Sequence, residues 1–213
     1  MRPFVLFAVA WVSLAAGCGF GGHRVNREVI MNPAHAAFKE PAPAQFKVVF
    51  ETSAGSFTVA VDRSLAPAGA DRFYNLARHG FYNEQRFFRV VPGFVVQWGM
   101  HGDPQIGAQW QSAGIADDPV RGSNKRGTLC FAATQAPNSR TTQIFVNLGD
   151  NAYLDAHGFA PFGTVVEGLD VVEKINAQYG EKPDQMQIRQ QGNSYLQEQF
   201  PALDYIREAR VVN

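Results

Sequence analysis

Two runs of alternating side chains constrain this chain more than anything else in it. Phe46, Val48 and Phe50 alternate with Lys47, Val49 and Glu51; after Ala54-Gly55, Phe57, Val59 and Val61 alternate with Thr58, Ala60 and Asp62. Successive side chains on a strand point to opposite faces, so two such runs joined by a short glycine-containing link predict a β-hairpin with one buried face. The rest of the chain must supply a core for that face. With 46% hydrophobic residues, 18% charged residues and 17 Phe against 3 Trp and 6 Tyr, it can build an aromatic-rich one, which excludes disorder throughout.

Beyond the hairpin, Pro67 opens a helix in which Ala70, Phe73, Leu76 and Ala77 recur at helical spacing until Gly80. Short strands are expected at 87–91, 94–98, 128–132, 144–148, 162–166 and 205–212. A second helix is expected at 169–178, with Val172 and Ile175 inward, and one or two short helices in the Gln-rich stretch 184–200. Eight short strands with two clear helices predict a mainly β chain: a closed eight-stranded antiparallel β-barrel capped by two α-helices, rather than a parallel α/β sheet.

The chain balances 19 Lys+Arg against 19 Asp+Glu. Broad electrostatic attraction to nucleic acid or anionic lipid is therefore not expected. The N-terminus reads differently from the rest. Arg2 precedes the apolar stretch Phe4–Ala16, which matches the core of a secretory signal and falls short of the ~20 residues that span a bilayer. Leu14-Ala15-Ala16-Gly17-Cys18 resembles the lipobox of bacterial lipoproteins. The resemblance implies removal of residues 1–17 and lipidation of Cys18. The absence of Asp after Cys18 implies the outer membrane, with the protein facing the periplasm. Residues 18–45, rich in Gly, Pro and Ala, are expected to be a flexible tether reaching roughly 30 Å. His23 and His35 lie in it without partners at metal-ligand spacing. Cys130, in the apolar run Leu129-Cys130-Phe131-Ala132, is expected as a small buried hydrophobe.

Arg86 to Gly99 reads RFFRVVPGFVVQWG. It resembles the signature of the cyclophilin-type peptidyl-prolyl isomerases through Phe87, Arg89, Val90, Val91, Pro92, Gly93, Phe94 and Gln97. Further blocks at Arg126–Ala133, Thr141–Asp155 and Gly158–Ile175 resemble the same family in the same order. The likeness covers Phe46 to about Gly180, within a domain expected over 46–213 whose segment 182–204 is longer than a minimal domain requires. The family implies an antiparallel barrel with a helix closing each end, which the strand and helix count reaches independently.

The chemistry follows from the reaction. Rotation about an X–Pro bond is slow because the planar amide loses resonance, with a barrier of ~18–20 kcal/mol. No bond is broken, so neither nucleophile, metal nor cofactor is required. Catalysis must come from binding the twisted amide better than either planar form. Twisting returns a lone pair to the prolyl nitrogen, which a fixed cationic donor can stabilise, and arginine stays charged and presents its donors in a rigid plane. An acceleration on the order of 10⁵ requires about 7 kcal/mol. One charge-assisted hydrogen bond supplies ~1.5–3 kcal/mol, so a preorganised, water-poor pocket must supply the rest.

The resemblance implies Arg89 as the catalytic arginine and an apolar cup for the proline ring from Phe94, Val95, Phe145 and Leu154. Gln97 would hold Arg89 or a substrate carbonyl, and Ala132 would offer its backbone to an extended peptide. Ordinary core packing is the competing reading for each aromatic. Tyr153 stands where a Trp is common and Phe159 where a His is common, so the wall stays aromatic while binding of cyclosporin-like macrocycles is expected to weaken. Ala133 stands where an Asn is common, and the loop Trp98–Asp103 departs from the usual Gly-Gly-Asp. His101 and His157, with Asp103, Asp117, Asp118 and Asp155, are expected as loop residues without a metal. The expected partners are proline-containing polypeptides, met by a monomer that touches membrane only through its lipid. The alternative is a catalytically weak module of the same fold that binds proline-containing segments or a partner protein.

Overall fold

The computed structural model describes residues 27–212. The expected export segment, Cys18 and His23 lie outside the described residues. In chain order the elements are α1 (Arg27–Ile30), β1 (Gln45–Thr52), β2 (Ser56–Asp62), α2 (Pro67–Arg78), β3 (Arg89–Val91), β4 (Val95–Trp98), α3 (Pro104–Trp110), β5 (Thr128–Phe131) and β6 (Ile144–Asn147). They continue with β7 (Gly163–Glu167), α4 (Leu169–Glu173), α5 (Gln185–Gln191), α6 (Asn193–Gln199) and β8 (Ile206–Val212), with short 3-10 turns at Ala36–Phe38 and Ala152–His157.

The alternating runs form the expected hairpin. Phe46, Val48 and Phe50 face Val61, Val59 and Phe57 across an antiparallel ladder, all buried, and Phe50 and Phe57 stack with ring centroids 4.8 Å apart. Pro67 occupies the first turn of α2, whose Ala70, Phe73, Leu76 and Ala77 are buried. No side chain at Ala66 caps that helix. Its first free amides, Ala68 and Gly69, donate instead to the Asp118 carboxylate at 3.0 and 2.9 Å, and buried Arg140 holds that carboxylate at 3.0 Å.

The strands form one antiparallel sheet of order β3-β4-β6-β5-β7-β2-β1-β8. It curls into a half-barrel, not the closed barrel expected. β3 and β8 are its two edges and do not pair with each other; contact is confined to the chain ahead of β3, where Arg86 bridges Tyr205 and Glu84, Gln85 and Phe87 share backbone hydrogen bonds with Ile206 and Asp204. The physical reason lies at β3: the Val90 N–H donates to the Gly180 carbonyl at 3.1 Å. The turn after α4 thus occupies the edge that a closing strand would need.

Two other elements depart from expectation, and the 184–200 stretch agrees with it. α4 is shorter than the helix expected at 169–178, although Val172 and Ile175 are buried. α3 was not expected, yet its start signal is an N-cap Asp103 followed by Pro104. The 184–200 stretch forms two short helices that enclose a small core of Phe88, Ile188, Leu196 and Leu203.

The stretch expected as a tether is not one in its described part. Ile30 is fully buried, and its carbonyl accepts the Trp110 indole N–H at 2.7 Å. Phe38 packs edge-on against Trp110 at 4.8 Å, and the Ala42 N–H donates to Asp71 at 2.8 Å. Ile30, Phe38 and Ala42 are too far apart to make a periodic pattern, so each docks singly. Ile30→Ala is therefore expected to destabilise the folded chain by about 2–4 kcal/mol, read as a lower urea midpoint at unchanged slope. A free tether would give no shift.

Candidate functional site

The half of the sheet formed by β3, β4, β6 and β5 carries apolar side chains on both faces. Val90, Val96, Val146 and Leu129 point into the main core. The residues between them point the other way, and the strand register lines up Arg89, Gln97, Phe145 and Cys130 in one row across four strands. Beside this row lies a second apolar cluster of Val95, Cys130, Phe145 and Leu154, with Phe94, Ala132 and Phe159 packed against it. Phe159 stands edge-on to Phe145 at 5.8 Å. Tyr153 lies nearly parallel to Phe94 at 6.4 Å and, at 57% exposed, forms the outer lip. All the residues expected around the proline ring are thus brought to one patch with Arg89.

The polar side of the patch is a chain of side-chain hydrogen bonds. Arg89 donates from Nη1 to Gln97 Oε1 at 3.1 Å and from Nε to Glu181 Oε1 at 2.6 Å. Its guanidinium carbon lies 5.3 Å from the centre of the Phe94 ring. Gln97 donates onward to Gln143 Oε1 at 2.8 Å, and Gln143 to Gln185 Oε1 at 3.3 Å. Of the two tasks open to Gln97, this structure has its carbonyl oxygen on Arg89. Ala132 stands at the end of β5 with its N–H donated to the Gln143 carbonyl at 2.9 Å.

A cavity of about 530 Å³ adjoins the row between α3, the 132–143 loop and α5, with Gln97, His101, Trp110, Ala133, Gln143 and Ile188 among its walls. Burial lowers the His101 pKa to about 4, so its imidazole is neutral at pH 7, and Nδ1 accepts the Asp103 N–H at 2.9 Å. Asp103 caps α3, and Asp117 and Asp118 both pair with Arg140. His157 is exposed and lies against the Tyr153 carbonyl. Among the described residues no group of three His, Cys, Asp or Glu is placed to hold a metal ion.

Sequence reasoning missed the polar clamp beneath the cup. Asp155 accepts hydrogen bonds from Ser123 Oγ at 2.6 Å and from the Asn124 backbone and side chain at 2.8 and 2.7 Å. Asn124 Nδ2 also reaches the Phe159 carbonyl at 2.9 Å, and Asn124 Oδ1 accepts from Asn147 at 3.1 Å and from the Cys130 thiol at 3.0 Å. Asn151 closes the set by donating to Asn147 Oδ1 at 2.8 Å and to the Phe94 carbonyl at 3.0 Å. The one available signal was the run Asn147-Leu148-Gly149-Asp150-Asn151, polar where a cup wall should be apolar. Cys130 is fully buried, and burial raises its thiol pKa well above the ordinary value.

Comparison with known proteins decides the family. The family profile described as Cyclophilin type peptidyl-prolyl cis-trans isomerase/CLD matches residues 47–193. The chain belongs to the cyclophilin-type peptidyl-prolyl isomerases. Peptidyl-prolyl cis-trans isomerase A of Dickeya dadantii is 39% identical over 135 residues, covering 61% of this chain and 70% of that protein. Peptidyl-prolyl cis-trans isomerase B of Escherichia coli is 37% identical over 136 residues, covering 60% and 82%. A crystal structure of a Cryptosporidium parvum cyclophilin-type isomerase superposes with a TM-score of 0.60 at 19% identity, over 79% of this chain and 98% of the other, a likeness of fold. As a cyclophilin the protein is an isomerase of X–Pro peptide bonds.

Within this cyclophilin the clamp makes a pH prediction. Desolvation raises the Asp155 pKa, but the hydrogen bonds from Ser123 and Asn124 outweigh it, and the net shift is downward. A carboxylate with a depressed folded pKa contributes stability that is fully present above its unfolded value of about 3.9 and fades as pH falls below it. The stability difference between wild type and Asp155→Asn should therefore be largest near pH 7 and shrink below about pH 4, measured by urea denaturation across that range.

Proposed function

We propose that this isomerase seats the substrate proline in the cup of Phe94, Val95, Phe145, Leu154 and Phe159 and presents Arg89 to the prolyl nitrogen as the amide twists. The observation that carries this reading is the row Arg89–Gln97–Phe145, in which a held guanidinium stands beside an apolar floor on the same face of the sheet. A planar amide gains little from the arginine, because its nitrogen lone pair is delocalised. The twisted amide gains a hydrogen bond to a localised lone pair, so the interaction is made in the transition state and not in either ground state. Tyr153 and Ala132 border the cup where the chain on either side of the proline would run. Substrates are proline-containing segments of unfolded or folding proteins.

The residues of the row supply orientation as well as charge. Gln97 fixes one donor of Arg89, and Phe94 supports the guanidinium plane. Arg89→Ala is expected to lower kcat/KM about 100-fold or more in a protease-coupled assay with a proline tetrapeptide. Arg89→Lys should recover only part of it, since an ammonium lacks the planar fork. Turnover by Arg89→Ala equal to wild type would remove Arg89 from catalysis and sink this reading of the site, and the absence of turnover in both would leave a proline-binding module.

Export places this activity. The run Leu14-Ala15-Ala16-Gly17-Cys18 supports cleavage before Cys18 and lipidation of that residue, so that the isomerase works as an outer-membrane lipoprotein on proteins folding in the bacterial envelope, as a monomer held to membrane by its lipid alone. Cys18→Ser should release the protein from the membrane fraction or leave the precursor uncleaved. Continued membrane attachment of a correctly cleaved form would overturn the assignment.

A further inference from the structure

Arg89 is also held by a carboxylate to which no sequence motif points. We propose that Glu181 is a positioning residue of this isomerase, gripping one edge of the Arg89 guanidinium so that its remaining donors face the substrate amide; the inference rests on the catalytic reading of Arg89 above. Glu181 Oε1 lies 2.6 Å from both Nε and Nη2 of Arg89, while Gln97 Oε1 takes a donor of Nη1 at 3.1 Å. A guanidinium carries five N–H donors in one plane. These contacts leave donors on the two Nη atoms alone, the end of the group that faces away from its own chain.

Glu181 is itself fixed by its backbone surroundings. The Gly180 carbonyl beside it accepts the Val90 N–H at 3.1 Å, and the Lys182 N–H donates to the Tyr179 carbonyl at 3.0 Å. Gly180 takes φ +57, a conformation open to glycine that turns the chain at the edge of β3. On the other side Pro183 is buried and Asp184 caps α5 with hydrogen bonds to Met186 and Gln187. The carboxylate is therefore delivered to Arg89 by a turn docked on the neighbouring residue of the same strand. The Arg89 and Glu181 side chains are 26% and 61% exposed, and an ion pair so exposed adds little to folding stability. Its effect falls on the arginine. An arginine side chain has several freely rotating torsions, and an unheld guanidinium would spend much of its time away from the amide.

The test is a protease-coupled assay on wild type, Arg89→Ala, Glu181→Ala, Glu181→Gln and the double variant Arg89→Ala/Glu181→Ala, at low and high salt, with thermal denaturation of each. Glu181→Ala should lower kcat about five-fold with little change in KM and no change in Tm. Raising salt should bring wild type toward Glu181→Ala, because the pair is screened. Glu181→Gln, which keeps an acceptor without the charge, should fall between them. In the Arg89→Ala background the Glu181 change should add nothing. A slow Arg89→Ala beside a Glu181→Ala as fast as wild type or faster would overturn this inference alone. So would a loss that is accompanied by a lower Tm, or that persists without Arg89. An Arg89→Ala as fast as wild type would instead overturn the reading on which it rests.

Discussion

Everything at the site depends on one constraint: the β3–β4–β6–β5 half of the sheet must bury apolar side chains on both faces at once. An antiparallel sheet commonly packs one face on the core and solvates the other. Here all four residues of β4 and all four of β6 are buried, so the outward residues need a cover of their own. Residues 152–159 supply it, laying Leu154 and Phe159 against Val95 and Phe145. A cover that closed completely would make a second core. Because this one stops at Tyr153, exposed at the lip, a half-buried rim of Phe94, Ala132 and Phe159 stays open to solvent above the buried floor of Val95 and Phe145.

Holding such a cover in place is a polar problem. The 3-10 turn at Ala152–His157 has no side-chain cap at Asn151 and ends in left-handed Gly158, so little in the segment itself fixes its angle. Asn124, Asn147, Asn151 and Asp155 do that from below. A buried amide left without partners costs about 1–3 kcal/mol, which makes a half-formed clamp unfavourable and a complete one rigid. The same amides tie the Phe94 and Phe159 carbonyls to the network. Both sides of the cup thus hang from one hydrogen-bonded cluster, which fixes the Phe94 and Phe159 backbone while Leu154 and Phe159 pack on the floor.

The parts of this molecule that repeat were legible in the sequence, and the parts that act once were not. Alternation marked the β1–β2 hairpin, helical spacing marked α2, and the family blocks marked the row of Arg89, Gln97 and Phe145. Ile30 and Phe38 lack periodic neighbours, so their docking on Trp110 leaves no trace in a pattern. The open seam of the barrel was hidden for a related reason: it depends on one hydrogen bond from Val90 to Gly180, between residues 90 positions apart. Glu181 escaped for the same cause, since nothing local distinguishes it from any other exposed carboxylate. Asp103-Pro104 is different. It is a readable helix start, because an N-cap Asp followed by Pro in the first turn needs no distant partner.

Pairing the proposed catalytic arginine with a carboxylate looks at first like a way to spoil it, since Glu181 cancels much of the positive potential that Arg89 would project. The reaction makes that loss small. A twisted prolyl nitrogen is a neutral lone pair, not an anion, so what it rewards is a donor aimed along a line, and a hydrogen bond weakens steeply once it bends. Net charge matters where a full charge develops, as at an oxyanion; direction matters here. A guanidinium can surrender its Nε edge to a counter-ion and still present aligned Nη donors, which a lysine ammonium with one nitrogen cannot do. A chain that is neutral overall and holds the arginine proposed for catalysis in an ion pair is therefore consistent with catalysis by aim, in a site whose binding energy would come from the apolar cup.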